Sequence, residues 1–164
     1  MRLLPAMLIV GAIFGGLTSP AWAGGCAISS TGLAFGTYQP LTFPGKLTSV
    51  DRTSDATVSI VCTSIVTGGS YSVALGASSV NNSMNPRLMA NPAGGPAMQF
   101  NVYRDPAFTS IWGDGMGGQP VTGAIPVGNS NTSFAVYGKV PAGQSLLRVG
   151  SFHASLLMTI TYNP

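Results

Sequence analysis

The chain has 164 residues, of which only 7% are charged, and its formal net charge is +3. Ordinary soluble domains carry roughly 25% charged residues, and here no glutamate is present at all. With 45% hydrophobic residues the chain can build a packed core. That composition argues against a disordered chain, which is charge-rich and apolar-poor, and against long helical bundles, which need Glu, Lys and Leu. It also argues against a nucleic-acid binder, because no basic cluster is available to neutralise phosphates.

Residues 1–23 read as a secretory signal peptide. Arg2 supplies the positive start, Leu3 to Leu17 the apolar run, and Ala21-Trp22-Ala23 the small-residue cleavage pattern. The apolar run falls short of the roughly 20 residues a membrane-spanning helix needs, so no membrane span is expected after cleavage. A lipoprotein signal cut before Cys26 is the alternative, and it would leave Cys62 unpaired. Residues 24–164 are expected to form one domain that acts outside the cytoplasm. Cys26 and Cys62 are the only cysteines, and in an oxidising compartment that count implies a disulfide.

Period-two alternation then recurs along the chain. Asp55 to Cys62 places Ala56, Val58, Ile60 and Cys62 on one face. Tyr71, Val73 and Leu75 form a second such set, Met98, Phe100 and Val102 a third, and Phe134 and Val136 a fourth. Phe35 to Pro44 is less regular, and its two prolines suggest an edge or a bend. The longest alternation comes last: Phe152, Ala154, Leu156, Met158, Ile160 and Tyr162 on one face, His153 among the polar residues on the other. Turn signals such as Gly68-Gly69, Asn91-Pro92, Gly94-Gly95 and Gly113-Asp114-Gly115 separate the runs. The pattern predicts an all-β sandwich.

Catalysis is not expected, because no constellation of acid, base and nucleophile can be assembled. His153 is the only histidine, and Asp51, Asp55, Asp105 and Asp114 each stand in or beside a turn. No metal or cofactor motif is found. Ile111 and Trp112 admit two readings: a contact loop with an exposed aromatic, or a tryptophan packed on the sandwich edge. The packed reading is preferred.

An ordered series of short motifs runs through residues 26–164. It comprises Ala34-Phe-Gly-Thr-Tyr38, Val58-Ser-Ile-Val-Cys62, Arg87-Leu-Met89, Phe100-Asn-Val-Tyr-Arg-Asp105, Ile111-Trp-Gly-Asp-Gly115, Val136-Tyr-Gly-Lys-Val-Pro-Ala-Gly-Gln144 and Gly150-Ser-Phe152. The series resembles the spore coat protein U domain, which forms subunits of archaic chaperone–usher pili. The resemblance implies an incomplete immunoglobulin-like β-sandwich lacking its final strand. A periplasmic chaperone and then a neighbouring subunit would complete it by strand addition, with the usher as a further partner. The strand-acceptor groove is expected along Phe152, Ala154, Leu156, Met158, Ile160 and Tyr162.

Only Gly24 and Gly25 separate the cleavage site from Cys26, so the chain is expected to accept a strand without giving one. That suits a terminal or accessory subunit, with a role in surface attachment or biofilm formation. The alternatives are a self-sufficient secreted coat or matrix protein, and a carbohydrate-binding module using Trp112 and Tyr103.

Overall fold

The computed structural model describes residues 24–164; the expected signal peptide, residues 1–23, lies outside the described residues. Eight strands are formed: β1 (Gly25–Ser30), β2 (Arg52–Ile65), β3 (Gly69–Leu75), β4 (Arg87–Met89), β5 (Met98–Tyr103), β6 (Val121–Ile125), β7 (Gly128–Val140) and β8 (Met158–Asn163). They build a five-stranded sheet in the order β1-β2-β7-β5-β4 and a three-stranded sheet in the order β6-β3-β8. Every pairing between these strands is antiparallel.

The alternation seen in the sequence is the cause of the layering. Side chains two apart share a face, so Ala56, Val58, Ile60 and Cys62 of β2 all enter the core. Between Cys62 and Ile65 the β2–β7 register shifts. One extra residue in a strand reverses its parity, and Ile65 is therefore buried as well. Ser64 absorbs the change with φ 56°, and its N–H donates to Asn129 Oδ1 at 2.9 Å. From the other sheet Tyr71, Val73 and Leu75 meet this face, and Phe100, Val102 and Val136 complete the core.

Cys26 stands directly opposite Cys62 in the β1–β2 ladder, and the two are joined as a disulfide. Among the described residues no free cysteine remains.

The final strand is shorter than the alternation predicts. Ladder pairing with β3 begins only at Met158, opposite Leu75, and runs to Asn163 opposite Ser70. Upstream, His153 pairs with Ala90 beyond the end of β4: each N–H donates to the other's carbonyl, at 2.9 and 3.0 Å. Residues 153–157 thus cross from the edge of one sheet to the edge of the other. A crossing segment has no continuous neighbour, which is why its alternation does not become a ladder. The Leu157 carbonyl accepts from Gly76 N–H at 2.8 Å, where the crossing meets β3.

An open groove beside the last strand

The strand order leaves β8 at the edge of its sheet. Beside it runs a cavity of about 870 Å³ that opens between two stretches of chain, residues 30–40 leading out of β1 and residues 147–158 leading into β8. Its floor is the sandwich core itself, with Leu75, Met89, Phe100, Val102, Trp112 and Val136 all reaching it. Core side chains from both sheets therefore face a gap in which no strand lies among the described residues.

The first wall is held by specific ties. Thr31 N–H donates to the Thr57 carbonyl at 3.1 Å, and Ala34 N–H to Ser54 Oγ at 3.0 Å. Phe35 packs edge-on against Phe100, with ring centroids 6.2 Å apart. Leu33 and Phe35 can lie flat on β7 because residue 138 is glycine. A Cβ there would stand 2.7 Å from Phe35 Cζ and 2.8 Å from Leu33 Cδ1. At the far end the Tyr38 hydroxyl donates to the Pro141 carbonyl at 2.8 Å and accepts from Gln144 N–H at 3.1 Å. Those contacts explain two of the sequence motifs: the Phe-Gly-Thr-Tyr run supplies the wall, and the Gly-Lys-Val-Pro-Ala-Gly-Gln run receives it.

Of the six residues expected along a strand-acceptor groove, Phe152, Ala154, Leu156 and Met158 line this cavity. All six are half-buried, alternating with exposed neighbours. Ile160 and Tyr162 lie outside the cavity, farther along β8, a strand that β1 also contacts. Tyr162 instead joins Gly24, Ile65, Val66, Thr67 and Pro164 around a smaller cavity of about 260 Å³, and its hydroxyl donates to the Thr67 carbonyl. The cavity thus follows the entry to β8 and does not reach its end.

Trp112 is corrected as a contact residue: it is 2% exposed. A buried indole N–H needs an acceptor, and it donates to the Val73 carbonyl at 2.9 Å. Its ring stands edge-on to Phe134 at 5.9 Å. Ile111 is half-buried and its carbonyl accepts from Gln119 N–H. The carbohydrate-binding reading loses Trp112 as a stacking surface, and Tyr103 is half-buried against Phe108.

The acids serve the backbone. Asp105 accepts from the N–H groups of Ala107, Thr109 and Ser110. Asp114 accepts from those of Met116 and Gly117, and these bonds hold its carboxyl below the usual range. Asp51 pairs with Lys139 at 2.6 Å. That bond, with a second from Ala142 N–H, lowers its pKa. Asp55 departs from the expected turn role and stands within β2. Among the described residues no three His, Cys, Asp or Glu side chains gather as a metal site, and no helix is long and apolar enough to cross a membrane.

One residue that alternation does not single out is Arg87, whose side chain is fully buried at the edge of the groove floor. In the sequence it is only the first letter of a short motif. Nothing local announces its burial, because its partners come from residues 75–76, 101 and 112.

The sequence model of the Spore Coat Protein U domain matches residues 16–159. The chain belongs to the Spore Coat Protein U domain family. Comparison with curated proteins finds no match. Among solved structures, the chain is similar to one in the CsuC–CsuE chaperone–tip adhesion subunit pre-assembly complex from archaic chaperone–usher Csu pili of Acinetobacter baumannii. The TM-score is 0.48 at 14% identity, covering 84% of this chain and 39% of that one. The present chain therefore spans about two fifths of that solved chain.

Proposed function

We propose that this Spore Coat Protein U domain protein is a subunit of a chaperone–usher pilus, and that its groove accepts a donated β-strand. A periplasmic chaperone fills the groove first, and a neighbouring subunit replaces it during assembly at the usher. The subunit is then displayed at the cell surface, where it contributes to attachment or biofilm formation. The observation that carries this reading is the cavity along Phe152, Ala154, Leu156 and Met158, whose floor is made by buried core side chains of both sheets beside an edge strand. An open edge over apolar surface invites pairing with another chain, and strand addition satisfies backbone and side chains together.

The test is to express the exported chain with and without a cognate pilus chaperone. Strand acceptance predicts a stoichiometric soluble complex with the chaperone, and without it a chain that can be refolded but is less stable and is degraded in the cell. A stable monomer that ignores the chaperone would favour a self-sufficient coat protein instead.

A further inference from the structure

The guanidinium of Arg87 makes five hydrogen bonds. Nε donates to the Gly76 carbonyl at 3.0 Å, and Nη2 to the carbonyls of Leu75, Gly76 and Trp112 at 3.1, 2.9 and 2.9 Å. Nη1 donates to Asn101 Oδ1 at 2.7 Å, and Asn101 Nδ2 in turn donates to the Met84 carbonyl at 2.9 Å. The ion pair found among the described residues, Lys139–Asp51, does not involve Arg87. Burying an arginine without a carboxylate is costly, and hydrogen bonds from the charged group offset that cost. Desolvation lowers its pKa to about 10, against the opposing pull of Asp114, so the group stays charged at neutral pH.

The partners belong to both sheets. Arg87 and Asn101 stand on β4 and β5 of the five-stranded sheet, whereas Leu75 ends β3 of the three-stranded sheet. The side chains of Leu75, Met89, Phe100, Val102 and Trp112, each a partner or a close chain neighbour of this network, form the groove floor. In a filled sandwich, interdigitated apolar side chains set the sheet spacing. Over an empty groove that filling is missing, and the hydrophobic effect favours drawing the sheets together. Directional bonds that tie the two sheets together beside the floor resist such a collapse.

We propose that Arg87 is a positioning residue for strand acceptance, holding the floor of the empty groove at the spacing an incoming strand requires. This rests on the groove being a strand acceptor. A site that is already open avoids the penalty of binding through a rarely populated conformation, so the signature of Arg87 is in the association rate.

The experiment follows the association of a labelled synthetic peptide, roughly ten residues of alternating Val and Thr, with the refolded protein by stopped flow. The proteins are the wild type, Arg87→Lys, Asn101→Ala and Val58→Ala. Val58 is a buried core residue of β2 that does not line the groove, so its variant reports destabilisation alone. Arg87→Lys is expected to associate about tenfold more slowly and Asn101→Ala about threefold more slowly, because a less populated open state lowers the apparent affinity in proportion. Val58→Ala is expected to keep the wild-type rate despite a lower Tm. If Arg87→Lys is no slower than Val58→Ala, the positioning role is overturned. If Arg87→Lys does not fold, Asn101→Ala decides by the same comparison. A wild type that binds no peptide overturns the strand-acceptor reading, and the role of Arg87 with it.

Discussion

The three-stranded sheet has two edges, and they are built differently. At one edge, β6 is bracketed by Pro120 and Pro126, and proline within or beside an edge strand is a known guard against further pairing. Its central Gly123 is committed inward: a Cβ there would stand 2.5 Å from the Tyr71 ring. At the other edge β8 meets no proline before Pro164, and the chain leading into it lines an apolar cavity. Both strands pair with the same neighbour, β3, so the contrast comes from the edges and not from the strand between them. It teaches that one edge is guarded by proline at both ends, whereas the other is entered by chain that lines a cavity.

The largest expected effect is loss of the disulfide. Cys26 and Cys62 are 36 residues apart, and closing a loop of that size contributes about 4 kcal/mol in the chain-entropy model. Replacing both by Ser should lower the unfolding free energy by that order in urea titration. It should also sharpen the contrast, because β1 would loosen from β8 and the open stretch would extend over Ile160 and Tyr162. An unchanged urea midpoint would show that packing alone holds β1.

Next comes Leu156→Asp. A carboxylate in the empty groove remains solvated, but a filled groove would bury it at a cost of about 3 kcal/mol or more. Strand binding should therefore weaken by roughly a hundredfold or more, measured by chaperone co-purification or peptide titration. Thr122→Asp, exposed on β6, should leave binding unchanged; equal losses would break the distinction between the edges.

These two predictions rest on residues that the sequence exposes to very different degrees. Alternation alone locates β2, β3, β5 and β8, because each turns one apolar face inward; in β5 the opposite face is not simply in water, since Asn101 is buried too. It also marks the face from Phe152 to Tyr162, but not where that face divides. The division depends on β1, brought against β8 by a fold no local pattern encodes. The first wall of the groove, Leu33 to Tyr38, reads only as irregular chain, since its order comes from Gly138 and the 141–144 turn, about a hundred residues away. Arg87 is least legible, because a single charge in a short strand looks the same whether it meets water or distant carbonyls.

A smaller effect is expected from Trp112→Phe. It removes the bond to Val73 and leaves a void beside Phe134, for about 1–2 kcal/mol. Since Val73 lies on the strand shared by both edges, thermal unfolding should report a loss that favours neither.

The smallest is a pH effect. Asp51 has a pKa lowered by Lys139 and Ala142, so its stabilisation is present above its unfolded pKa of 3.8 and is lost as pH falls through the folded value. The group is largely solvent-screened, so the loss should be a fraction of a kcal/mol. Asp51→Asn should flatten that part of the acid limb in Tm-against-pH measurements, leaving both edges as they were.

The most direct measurement is amide hydrogen exchange, residue by residue, on the protein alone and with an added strand from chaperone or peptide. Strand acceptance at β8 predicts rapid exchange from Ala154 to Leu157 in the free protein and strong protection on addition, with β6 unchanged. Protection of 154–157 in the free protein, or protection gained at β6 instead, would contradict it.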